Sequence, residues 1–178
     1  MSIFSKIKKG LGVGTISYEL KVPSSIDASS GQLAGEIVLT AKGAQKVVDV
    51  EAKLERIFTW DERQSHYNST TKRHDDQWVT QTRTVELGAF LDETAFSLEA
   101  EETRTIPFVI TFQPFSAQED PQASSMLWDV LDSAIAGSTG GWFGSSMRNQ
   151  HVSYKVSGDV DLEDVAFDKG DSKTIVLR

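Results

Sequence analysis

Cysteine is absent from this chain of 178 residues. That absence removes a disulfide framework, thiolate metal ligation and a cysteine nucleophile together. Long apolar runs are absent too: no stretch approaches the roughly 18 consecutive apolar residues of a membrane span. Lysines stand near the start, but no apolar run follows them, so a secretory signal is not expected. A reducing cytoplasm is the expected address. Bases are missing from Glu86 to Glu102, where six acids stand. In total, 18 Lys and Arg against 26 Asp and Glu leave a formal charge of −8. Lys6, Lys8 and Lys9 make the first fourteen residues +3, so the remainder, with 15 bases against 26 acids, carries −11. A body this acidic repels phosphate backbones, which disfavours nucleic acid as a partner. The acids read as a solvated, solubilising surface.

Enzyme signatures are also lacking. Gly10-Leu-Gly12-Val-Gly14 has no third glycine at dinucleotide-binding spacing, and it precedes a strand where that motif follows one. The glycines from Gly137 to Gly144 are not followed by Lys-Ser/Thr, and no Gly-x-Ser-x-Gly elbow occurs. His66 and His74 share a polar tract with Asp61, Glu62, Asp75 and Asp76, which invites an imidazole–carboxylate metal site. No pairing fixes them on one face, however, and loop solvation is the expectation. His151 has no evident base or nucleophile beside it. Asp159, Asp161, Glu163 and Asp164 lack the glycine and glutamate of an EF-hand, and strand alternation accounts for the first three. No catalytic, cofactor or metal residue is therefore expected.

What the chain does have is a period of two. Ile16, Tyr18, Leu20 and Val22 alternate with polar residues; so do Ile106, Phe108, Ile110 and Phe112, and Val152, Tyr154, Val156, Val160 and Leu162. Between Val48 and Trp60 the even positions are apolar except Arg56. Alternate side chains of a strand point to opposite faces, so each run predicts one buried and one wet side. Leu33–Thr40, Gln77–Leu87, Ala95–Ala100 and Lys173–Leu177 are weaker strand candidates. Turns are expected at Ser29–Gly31, Ala41–Gly43 and Asp168–Asp171, and Asp61–Asp76 is expected as an extended hairpin tip. Seven or eight such strands predict an all-β fold, an antiparallel β-sandwich.

Two segments follow a helical period instead. Asp120 is a suitable cap for a helix opening at Pro121, with Met126, Leu127, Val130, Leu131, Ala134 and Ile135 on one face and Gly137 as a stop. This predicts an amphipathic helix lying over one open end of the sandwich, within an insertion spanning 120–149. The Gly137–Ser146 loop after it carries Trp142 and Phe143, which either fold back on that helix or insert into a partner or bilayer. At the other end, residues 1–14 predict a short basic amphipathic helix, with Ile3, Phe4, Ile7 and Leu11 near one face and Lys6, Lys8 and Lys9 elsewhere. It either packs on the sandwich or docks on anionic lipid.

The order of these pieces resembles the arrestin-like sandwich, and most closely its bacterial sporulation-control branch. The residues that carry the likeness are the opening Ile3–Thr15, the strand Gly31–Leu39, the run Val47–Glu55 after Lys46, the Arg104–Pro114 strand with its Ile-Pro-Phe, and Val152–Val156. The resemblance implies residues 15–178 as one arrestin-like domain and a non-enzymatic adaptor linked to stress or developmental control. The related proteins carry two lobes, which raises the expectation of self-association through strand edges. Two readings of the partner stand side by side: a protein bound by the sandwich, or an anionic membrane surface met by Lys6, Lys8, Lys9, Trp142 and Phe143.

Overall fold

The computed structural model describes residues 16–70, 72–115, 147–163 and 169–178. Nine strands follow in chain order: β1 (Ile16–Lys21), β2 (Ser25–Ile26), β3 (Gln32–Ala41), β4 (Gln45–Asn68), β5 (Arg73–Asp92), β6 (Phe96–Leu98), β7 (Thr103–Thr111), β8 (Met147–Leu162) and β9 (Lys169–Leu177). They form two sheets, one of order β1-β3-β7 and one of order β2-β9-β8-β4-β5, with β6 added to the start of β4. All pairings are antiparallel except β2 with β9, where two residues pair in parallel.

Alternation decides which face each strand buries. Leu33, Ile37 and Leu39 of β3 and Ile106, Phe108 and Ile110 of β7 meet Val50, Leu54, Val156 and Val160 of the larger sheet in one apolar core. Where large side chains cross that core, glycine makes room. The Phe108 ring lies over Gly35, its cross-strand neighbour, where a Cβ would come within 2.5 Å of Cζ. The same ring packs on Phe90 with centroids 5.8 Å apart. At the expected Ser29–Gly31 turn, Asp27 caps a 3-10 turn by accepting from the Ser29 amide at 2.9 Å, and Gly31 ends it at φ 64°. Few residues other than glycine adopt that conformation readily.

Four expectations need correction. Among the described residues the chain is all β, with the 3-10 turn Ala28–Ser30 as its one helical element. The helices expected within 120–149 and 1–14 are therefore no part of the described fold; residues 120–136 and 1–14 lie outside the described residues. Apolar residues at helical spacing supply a face for a helix, but short helices are marginal without packing that fixes them. Second, Gly170 is not in a turn but inside β9, opposite Asp159. Third, Val48 does not belong to the buried row of β4. A bulge between Val47 and Asp49 puts Val47 in the core, because one extra residue switches the parity of a strand. Fourth, the strands of the tip are longer than expected, β4 running 24 and β5 20 residues.

Candidate interaction edge

Lys6, Lys8, Lys9, Trp142 and Phe143, the contact residues expected from sequence, lie outside the described residues. Among the described residues, the feature that stands out is the long β4–β5 pair. The two strands stay paired from Val50 opposite Asp92 to Asn68 opposite Arg73, with one register shift between Leu54 and Glu55, and the smaller sheet meets β5 at its Gly88 end. The covered part begins at Gly88, where a Cβ would overlap the Thr111 carbonyl oxygen of β7. Beyond that point a bulge at Leu87 shifts the parity of β5, since Leu54 faces Gly88 and Glu55 faces Glu86. From Glu86 to the tip, β5 is exposed or at most half-buried.

The ribbon is pinned at its base and along its length. Asp61 of β4 accepts from the Thr80 hydroxyl at 2.8 Å and from the Asn149 side-chain amide at 2.7 Å, with the Arg148 guanidinium 3.6 Å away. The hydrogen bonds from Asn149 and Thr80 hold its carboxyl below the usual carboxylate range. Asn149 has φ 55° within a β8 bulge, a left-handed conformation that asparagine tolerates better than most residues. The Arg148 guanidinium also lies 4.0 Å above the Trp78 ring. Further out, Arg63 pairs with Asp76, and Ser65 lies 3.3 Å from the His74 ring nitrogen. The Tyr67 and His74 rings are 5.2 Å apart.

The same register separates the two tip histidines. His74 faces Tyr67 while His66 faces Asp75, so successive positions place them on opposite sides of the ribbon. Among the described residues no group of three His, Asp or Glu side chains is placed to hold a metal ion. His151 lies within β8 opposite Thr59. Asp159 and Asp161 pair with Glu51 and Asp49 on the wet face, and Glu163 bonds Lys46 at 2.7 Å. Asp164 lies outside the described residues.

One buried residue escaped the sequence reading. Arg56 keeps the inward parity of β4 and is only 5% exposed. Its guanidinium lies 4.8 Å from the Phe115 ring centroid, 5.6 Å from that of Tyr154 and 5.8 Å from that of Phe58. A planar, weakly hydrated guanidinium stacks well on aromatic faces, which is how a charge interrupts an apolar row without breaking it. The signal was there, since a lone arginine in strict alternation with Leu54 and Phe58 points inward.

The edges of the two sheets differ sharply. β7 carries Pro107, which has no N–H to offer a neighbouring strand. β1 is six residues long with Glu19 and Lys21 on its wet side, and β2 has two residues. These are the devices by which sheet edges avoid unwanted pairing. β5 is less guarded: its 20 residues include no proline and no lysine, and although it has charges at Arg73, Asp75, Asp76, Arg83 and Glu86 and a bulge at Leu87, its centre, Val79-Thr-Gln-Thr-Arg-Thr-Val85, holds a single charge. β4 flanks it on one side, and among the described residues no strand flanks the other. Trp78 at 40% and Val79 at 36% exposure stand on its two faces.

No family model matches this chain, and no curated protein matches it. Among solved structures, the fold is similar to the crystal structure of Spo0M, a sporulation control protein from Bacillus subtilis, with a TM-score of 0.47 at 15% sequence identity. The match covers 93% of this chain and 50% of that one, so the chain spans about half the length of that protein. No helix among the described residues is long and apolar enough to cross a membrane.

Proposed function

We propose that this chain is a non-enzymatic protein-interaction module, an adaptor that takes an extended partner segment along the outer edge of β5. The observation that carries this reading is the uncovered edge from Arg73 to Glu86, free of proline and lysine and bounded by β4 alone among the described residues. A strand added there meets a row of backbone donors and acceptors, and the alternate side chains of β5 supply selectivity. A two-stranded hairpin is marginal by itself in water. The ribbon is held by Asp61, Arg63 and their partners, so it is presented in a set geometry and need not be ordered on binding. The acidic body favours partners without phosphate backbones. A cytoplasmic role in stress or developmental control is the corresponding setting implied by the arrestin-like resemblance.

The test is affinity capture from native lysate with three baits: the parent, Val79→Lys on β5, and Val109→Lys on the proline-bearing β7 edge. A specific partner should be retained by the parent and the β7 variant and lost from the β5 variant. Equal retention by all three would sink the edge reading.

A further inference from the structure

We infer that the strand seated on β5 is β5 of a second copy, paired antiparallel about a two-fold axis at Val79. The inference rests on the edge reading above and gives it a partner and a register. Its starting point is the extent of the free edge. The tip turn ends at Lys72, which has φ 52°, and the smaller sheet begins to cover β5 at Gly88 after the bulge at Leu87. Among the described residues the uncovered length of β5 thus runs from Arg73 to Glu86, with its centre between Val79 and Thr80. An axis through Val79 or through Thr80 pairs all but one residue of it, roughly 43 Å of strand.

The side chains agree with that register, which follows from a separate property of the chain. Antiparallel pairing about Val79 sets Asp75 opposite Arg83, a pair that occurs twice by symmetry. Val79 meets its own copy, Trp78 meets Thr80, and Gln77 meets Gln81. No two like charges stand opposite one another. A twofold perpendicular to the sheet keeps each residue on its own face, so only even shifts between the strands compete. Sliding by one such step in one direction brings Arg73 against Arg83. In the other direction, about Thr80, Asp75 faces Val85 and Arg83 faces Gln77, so the charge pair is lost. Opposite charges directly across a strand pair stabilise it and like charges destabilise it, so the electrostatics select Val79 from the two axes that the uncovered length allows.

Backbone and side chains on the two faces suit a shared sheet. Asp75, Val79 and Arg83 belong to the row continuous with the inner face of the sandwich, while Trp78, Thr80 and Thr82 belong to the outer row. Val79 sits opposite Glu62 of β4, so a lysine there gains an acidic neighbour within its own chain. That makes Val79→Lys a variant that keeps the fold while placing two lysines face to face at the axis.

Sedimentation equilibrium and multi-angle scattering of the full chain, in about 0.15 M salt where screening acts over about 8 Å, provide the test. The parent should dimerise and Val79→Lys should stay monomeric with the parent's melting curve. Asp75→Arg and Arg83→Asp should each weaken the dimer by about tenfold or more. Mixing those two variants in equal amounts should restore association, because each then meets its opposite charge; the double variant should likewise dimerise with itself. A dimer that survives Val79→Lys, or single variants that associate like the parent without rescue on mixing, would overturn the register. A parent that stays monomeric to about 1 mM, the weak end of the affinity scale, would overturn self-pairing. If Val79→Lys still abolishes capture of a different protein in that case, the edge itself remains a binding site. If capture is also unaffected, the edge reading falls with it.

Discussion

Gly158 and Tyr18 form a pair whose coupling can be worked out before it is measured. Gly158 stands inside β8 between Ala52 and Asp171, and it faces the core. Glycine in a strand interior costs about 0.5–1 kcal/mol relative to alanine. Alanine is nevertheless excluded, since its Cβ would overlap the Tyr18 Oη, with Glu51 O at 3.3 Å and Leu20 Cδ1 at 3.4 Å as the next neighbours. The hydroxyl is buried and makes no hydrogen bond among the described residues. Gly158→Ala alone should therefore destabilise by about 1–3 kcal/mol, the usual cost of overpacking. Tyr18→Phe removes a hydroxyl without a partner and should be neutral or stabilising by up to about 1 kcal/mol. In the double variant the overlap is gone, and stability should fall within about 0.5 kcal/mol of Tyr18→Phe, so the coupling is about 0.5–3.5 kcal/mol. Urea midpoints at constant slope read this directly. Strictly additive effects would show that Tyr18 does not fill the space above Gly158. Alkali offers a second reading of the same contact. Burial, then the charges of Asp159 and Asp171, push the Tyr18 hydroxyl well above its ordinary value. A raised folded-state value means full stabilisation below the unfolded value of about 10, lost as pH rises towards the folded one. The parent should lose stability above about pH 10 in a step that Tyr18→Phe lacks.

Other outcomes follow from the same packing. Phe108→Ala empties the space above Gly35 and beside Phe90, and should cost about 3–5 kcal/mol in a thermal or urea melt; Leu54→Ala, fully buried, should cost about 2–5 kcal/mol. Melts close to the parent's for both would mean that the buried rows are assigned to the wrong face. Arg56→Ala removes the guanidinium from among three rings and should destabilise by about 2–4 kcal/mol, with Arg56→Lys recovering little because an ammonium does not stack; full recovery by lysine would show that charge alone matters there. The Asp61 carboxyl lies below its ordinary value, so its contribution is complete above about pH 4 and is lost as pH falls through the lowered folded value. Asp61→Asn should flatten the acid limb of the stability profile and speed amide exchange around Arg148–Gln150 at neutral pH; an unchanged exchange pattern would show that Asp61 does not hold the start of β8.

The sandwich was legible because alternation is a local property: the rows through Leu20, Leu54, Ile110 and Val156 have period two over enough residues to name a buried face without knowing what it meets. Arg56 was in the right row as well, and only its charge disguised it. Other features depended on non-local facts. The bulges beside Val48 and at Leu87 each insert one residue, and a single insertion exchanges the two faces of everything beyond it. Gln77–Leu87 reads as a weak strand for another reason: it is exposed or half-buried throughout, so its alternation marks no buried row, although β5 is among the longest strands here. Which strand lies at an edge is set by sheet order, and sheet order is decided by pairings between residues as distant as Leu54 and Val156. The sequence alone therefore determined strand faces, net charge and the run from Val79 to Val85. Only the tertiary structure decided that this run has β4 on one side and, among the described residues, no strand on the other, because pairing across a sheet joins segments whose order along the chain does not predict their order in space.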